Sequence, residues 1–199
     1  MLYWAMNFLA HIYLSGDDDM VKIGNFMADS IHGRKPESFP YGIQKGIMLH
    51  RAIDSFTDAH PVFRQTTKRL HARYHHYAGV IADVYYDHFL AKNWKDYHWE
   101  PLETFAANFY ELLNANFSLL AEQTKQIVPY MIRDNWLAGN THLDGIARTL
   151  KQIDRRTGNK SGMSTAIEEL TEFYDEFESD FRIFFEAVRS FSKEKYVEL

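Results

Sequence analysis

Cysteine is absent from the 199-residue chain. That excludes disulfides, thiolate zinc sites and a cysteine nucleophile, and it leaves His and carboxylate side chains to hold any metal. Positive charge is not in excess either: 22 Lys and Arg against 27 Asp and Glu give a formal net charge of −5. A globally basic nucleic-acid binder is excluded, and nucleic acid is not expected as a partner, although a local basic patch is compatible with this balance. No apolar run approaches the ~18 residues that a bilayer span requires. The stretch from Met1 to Met6 lacks the basic flank and long apolar core of a signal peptide. The expectation is a cytoplasmic protein without a membrane partner. Met6 offers a second start, so residues 1–5 read as a dispensable extension.

Several chemistries are excluded by missing motifs. G-x-x-x-x-G-K-[ST] and G-x-G-x-x-G phosphate cradles do not occur. A G-x-S-x-G serine elbow is missing. H-E-x-x-H is also absent, and no Glu is followed three residues later by His, as the usual four-helix di-iron pattern requires.

What is present suits an all-α, single-domain helical bundle over residues 1–199. Hydrophobic residues make up 46% of the chain and charged residues 25%, with only five prolines and ten glycines to interrupt it. The apolar period is helical and no internal repeat is visible. The pattern predicts helices over 19–32, 41–58, 61–75, 77–94, 101–120, 126–137, 142–156 and 163–191. Asp17 to Asp19 cap the first and Gly33 stops it; Pro61 and Pro101 suit first helical turns. In the last segment Met163, Ile167, Leu170, Tyr174, Phe177, Phe181, Phe184, Val188 and Phe191 advance by threes and fours along one face. Such a stripe serves either a homodimer seam or the helix's own core. The flanking Phe173 and Phe185 widen it beyond a coiled-coil seam and favour the core.

Polar residues interrupt otherwise apolar helical stretches in three places. These are Asn7 to His11 with Gly24 to Gly33, His50 to Pro61, and Asp83 to Leu90. His50 and Asp54 are four residues apart and share a helix face, and Asp58 continues that line. Asp83 and Asp87 repeat the spacing, with His88 about 100° round from Asp87. Ile81, Val84, Tyr85, Phe89 and Leu90 surround these carboxylates, where an unpaired charge is costly. One His–Asp pair at this spacing is also an ordinary surface hydrogen bond, and Asp58 could simply cap the helix at Pro61. Converging helices that bring imidazole nitrogen and carboxylate oxygen together would instead suit manganese, magnesium or iron better than structural zinc.

Four blocks in order carry a family resemblance: Met6 to His11, Gly24 to Asp29, Gly46 to Asp58 and Asp83 to Leu90. Together they resemble the bacterial acyl carrier protein phosphodiesterases, with a likeness running from Met6 into the last helix. The resemblance implies hydrolysis of holo-acyl carrier protein to the apo protein and 4′-phosphopantetheine. It also implies a helical fold distantly similar to HD-domain phosphohydrolases and a divalent metal, typically Mn²⁺, with Mg²⁺ or Fe²⁺ as alternatives. The adjacent His-Asp pair of HD enzymes does not occur in this chain, and Asp87-His88 has the reverse order.

By position in the matching blocks, Asp29, His50, Asp54 and Asp83 are the leading metal ligands. Asp87, His88 and His11 follow as further ligands or proton-transfer groups. Arg51, beside His50, has the geometry to hold a phosphate oxygen. The implied partner is small and acidic. Lys68, Arg69 and Arg73 form one basic group that could receive it, and Arg34 with Lys35 another. Two other functions remain open: a phosphohydrolase acting on a nucleotide or another small phosphodiester, and a non-catalytic helical protein that binds a partner.

Overall fold

The computed structural model describes residues 7–31 and 36–199, and among them every regular element is helical. Residues 1–5, read as an extension, and the loop cations Arg34 and Lys35 lie outside the described residues. The helices are α1 (Phe8–Leu14), α2 (Asp19–Met27), α3 (Tyr41–Ala59), α4 (Pro61–Tyr74) and α5 (Ala78–Lys92), followed by α6 (Leu102–Ala115), α7 (Glu122–Arg133), α8 (Leu143–Arg156), α9 (Ile167–Glu172) and α10 (Tyr174–Glu198). They pack around a continuous apolar core. No helix among the described residues is long and apolar enough to cross a membrane.

Local chemistry explains most boundaries. The Asp18 side chain accepts from the Met20 and Val21 amides and starts α2. At the α3–α4 corner His60 is extended, its ring accepts from the Val62 amide, and Pro61 occupies the first turn. The helix predicted over 126–137 instead spans Glu122–Arg133 and carries Pro129 in its interior. The apolar stripe of 163–191 is divided into a 3₁₀ turn, α9 and α10, with the break at Phe173 (φ −115°, ψ 36°). Just before the break, the Thr171 hydroxyl donates to the Ile167 carbonyl, a side-chain bond that competes with the helical ladder. The stripe faces the core: Phe177, Phe181, Phe184 and Val188 are buried, with Tyr86 against Phe181 and Phe184.

Two features of this fold position polar groups. The first is a close α2–α3 crossing. A Cβ on Gly24 would land on the Ile43 carbonyl, and one on Gly46 would land on the Val21 carbonyl. Only glycine permits that approach, which sets Asn25 of α2 and Asp29 of the 3₁₀ turn after it opposite His50 of α3. The second is the anchorage of α1. With seven residues this helix is too short to persist alone. Its own Asn7 makes no side-chain cap, and the buried Asp87 of α5 accepts from the Leu9 and Ala10 amides, each at 3.0 Å. A carboxyl group from another helix thus satisfies two otherwise unmatched first-turn donors and fixes the helix that carries His11.

Candidate metal centre

His11, His50 and Asp54 come together so that one ligand atom from each lies within 4.8 Å of the others. His50 Nε2 stands 3.1 Å from Asp54 Oδ2 and 3.1 Å from Asp29 Oδ1. His11 Nε2 is 3.2 Å from Asp54 Oδ1 but off the line of a hydrogen bond, which leaves this buried nitrogen without a hydrogen-bond partner. The two rings stack with centroids 4.1 Å apart.

The buried Asn25 connects the two imidazoles. Its Nδ2 donates to the His11 carbonyl at 3.1 Å and to Ser15 Oγ at 2.9 Å. The His11 carbonyl can only accept, and this assigns the amide nitrogen to that side. Oδ1 therefore faces His11 Nδ1 at 2.8 Å and His50 Nδ1 at 3.0 Å. An amide oxygen only accepts, so both Nδ1 atoms carry protons. Each Nε2 is then either a lone pair directed at carboxylate oxygen or a proton-bearing imidazolium nitrogen. A lone pair opposite a carboxylate is repulsive unless a cation lies between them. This is the arrangement by which an outer hydrogen bond fixes the tautomer of a metal-ligating histidine.

The titration behaviour follows from this surplus of negative charge. Burial alone would lower the His50 pKa, but hydrogen bonds to Asp29 and Asp54 raise it to about 9. Burial lifts the Asp54 carboxyl, and the His11 and His50 imidazoles outweigh it and hold Asp54 well below the usual carboxylate range. Asp83 is pushed well above that range by burial and by the charges of Asp54, Asp87, Asp58 and Asp29. Its Oδ1 accepts from Asn7 Nδ2 at 3.4 Å. A positive ion among these groups would relieve their mutual repulsion. Two imidazole nitrogens with adjacent carboxylate oxygens are therefore consistent with a divalent metal, with no cysteine required.

The remaining expected site residues are dispersed. Burial raises Asp87 to about 8 against the pull of its two backbone donors, and its place is beneath α1. His88 is buried with both nitrogens engaged, Nδ1 with the Asn140 carbonyl and Nε2 with the Tyr174 hydroxyl, each at 2.7 Å. Arg51 is exposed on α3, three residues before Asp54 and so on the same side of the helix. On α4, Lys68 is exposed, Arg69 pairs with the buried Asp180, and Arg73 pairs with Glu168 and Glu169. Asn25 was not among the expected site residues. Its signal in the sequence was an amide inside the apolar stretch Ile23 to Met27.

A family profile described as acyl carrier protein phosphodiesterase matches residues 6–188. The acyl carrier protein phosphodiesterase of Pectobacterium atrosepticum is 29% identical over 94% of this chain and 98% of its own length. That of Photorhabdus laumondii is 30% identical over 90% of this chain and 91% of its own. A third, from Yersinia enterocolitica, is 27% identical over 96% of this chain and 100% of its own. No solved structure matches the chain.

Proposed function

The chain belongs to the acyl carrier protein phosphodiesterase family and is thereby a phosphoric diester hydrolase, and we propose that it converts holo-acyl carrier protein to the apo protein and 4′-phosphopantetheine at the His11–His50–Asp54 centre. The observation that carries this assignment of the site is the Asn25 bridge, which holds two imidazoles with both Nε2 atoms turned toward carboxylates. A cytoplasmic location goes with this reading.

His11, His50, Asp54 and Asp29 would hold the ion, manganese in this proposal. When bound, it would offset the charge of the phosphodiester and bring the pKa of a water toward ~7 at the strongest. Asp83 would ionise beside that positive charge, as nearby cations invert the local titration order. It could then orient the attacking water and accept its proton. Asp87 acts through position: by holding the α1 amides it keeps His11 in line. Arg51, beside the partly exposed Asp54, could bind a non-bridging phosphate oxygen as the diester enters. Water adds to phosphorus, the bond to the carrier's serine oxygen breaks, and that oxygen takes up a proton, which gives a phosphomonoester and a free serine.

Intact-mass measurement of holo-acyl carrier protein after incubation with the protein and Mn²⁺ tests the reading. The carrier should lose one phosphopantetheinyl group, and Asp54→Ala should abolish the loss. A carrier of unchanged mass in the presence of folded, metal-loaded wild-type protein would refute it.

A further inference from the structure

We infer that α8 presents the docking surface for the acidic carrier protein, a step that rests on the proposed function and names the face that serves it. Arg148, Lys151 and Arg155 advance by three and four residues along one exposed side of α8. Arg156 adds a charge over the Trp136 ring, 5.7 Å from its centroid, and Lys160 follows in the next loop. None of these five cations forms an ion pair among the described residues. Several arginines elsewhere are committed: Arg69 to Asp180, Arg73 to Glu168 and Glu169, and Arg182 to Glu178 and Asp96. Inside the segment, Asp154 is buried and occupied by the hydroxyls of Ser161 and Ser164, so it does not neutralise the face.

Stability does not explain this cluster. Like charges at helical spacings of three and four cost about 0.2–0.5 kcal/mol per pair. The helix dipole rewards cations only in the last turn, which accounts for Arg155 and Arg156 but not for Arg148, Lys151 or Lys160. A basic face whose cations form no ion pair among the described residues, even with the exposed Asp144 one turn before Arg148, is complementary to a polyanionic partner on a chain of net charge −5.

The position of α8 suits the proposed reaction. The scissile phosphate is attached to the carrier's own serine, so the carrier's surface must rest on the mouth of the site. A standard footprint of ~800 Å² per partner is roughly 30 Å across. Arg148 lines a hollow of about 330 Å³ with Trp136, Thr149 and Gln152. A small void continues from Trp136, Thr149 and Gln152 to Phe8 of α1 and Asp87 of α5. Asp87 is one helical turn, ~5.4 Å, from Asp83, and Asp83 lines a small void with His11 of the centre, so α8 borders the same face of α5 that reaches the site. On α4, by contrast, two of the three expected docking cations are already held by carboxylates.

The test compares wild type with Arg148→Glu/Lys151→Glu/Arg155→Glu in the Mn²⁺-loaded protein. At 0.1 M salt kcat/KM for holo-acyl carrier protein should fall at least tenfold, and the gap should narrow at 0.5 M salt. Hydrolysis of bis(p-nitrophenyl) phosphate should stay within twofold. Binding of fluorescently labelled apo carrier, read by anisotropy, should weaken in parallel. Carrier turnover within twofold of wild type, an equal loss on both substrates, or a larger loss from Lys68→Glu on α4 would each overturn the inference. So would an α8 face that binds RNA or anionic vesicles but not carrier. Wild-type protein that binds carrier through α8 without hydrolysing it would leave the docking surface standing and refute the proposed reaction instead.

Discussion

Asn25→Leu is the sharpest test of the centre, because the residue touches the chemistry only through hydrogen bonds. Leucine has similar bulk, so the principal change is loss of the acceptor for two ring N–H groups and of the donor to the His11 carbonyl and Ser15 Oγ. The His11 carbonyl keeps the Ser15 hydroxyl at 2.8 Å. The His11 and His50 Nδ1–H groups are left unmatched in a buried setting, at about 1–3 kcal/mol each. The metal-free fold should therefore lose about 2–6 kcal/mol. The rings can escape part of that cost by moving their protons to Nε2, which removes the lone pairs a metal needs. Either outcome should weaken Mn²⁺ binding by about 10–100-fold, the usual effect of losing an outer hydrogen-bond partner. Asn25→Asp separates the two effects. It retains an acceptor toward both rings but turns an oxygen toward the His11 carbonyl, so it should lose stability while keeping Mn²⁺ affinity nearer wild type. Urea unfolding in EDTA measures the first quantity, and electron paramagnetic resonance of free Mn²⁺ measures the second. A folded Asn25→Leu protein with wild-type Mn²⁺ affinity would refute the tautomer argument.

How far these groups could be read from the sequence depended on whether a signal was periodic or geometric. Helix type and most boundaries followed from apolar spacing, prolines and Asp18, because capping and periodicity are local. The seven-residue α1 was not predicted as an element: it is held by Asp87, 77 and 78 residues away in sequence from the amides it caps. The break at Phe173 escaped for a related reason, since the stripe continues across it and stays buried on both sides. Spacing on α3 pointed to His50 and Asp54 together, and the family blocks pointed to Asp29. That His11 joins His50 and Asp54 depends on the α1 anchorage and on the glycine contacts of α2 with α3, which no spacing rule contains. Asn25 gives no titratable signal in the sequence, yet an amide can direct two imidazoles without titrating. Arg148, Lys151 and Arg155 were not singled out in the sequence, because the distinction between free and paired cations needed the structure: Arg69 and Arg73 look equally available there.

Gly46→Ala places a methyl group on the Val21 carbonyl and within 2.8 Å of the Asn25 amide nitrogen and Gly24 Cα. Forcing α2 from α3 should cost about 1–3 kcal/mol in thermal unfolding and weaken Mn²⁺ binding together; an unshifted melting temperature would contradict the close-packing argument. Arg51→Met should reduce kcat/KM for holo carrier by about 10–100-fold, the equivalent of a charge-assisted hydrogen bond of ~1.5–3 kcal/mol, with the metal still bound; unchanged kinetics would remove Arg51 from the phosphate site. The pH dependence of the metal-free fold follows from His50. Its pKa is raised from 6.5 to about 9, so its stabilising contribution is complete below the unfolded value and disappears as pH rises through the folded one. At ~1.36 kcal/mol per pH unit this gives roughly 3 kcal/mol lost between pH 6.5 and 9. Asp87, raised to about 8 by burial, acts in the same direction: it stays protonated while its unfolded counterpart ionises above pH 4. Urea unfolding in EDTA should therefore show stability falling across this range. Mn²⁺ should oppose the fall, because the ion takes His50 in the neutral form that alkaline pH favours. Metal-free stability that is flat or rising from pH 6.5 to 9 would mean that His50 is not held as an imidazolium between Asp29 and Asp54, and the charge argument for the centre would fail with it.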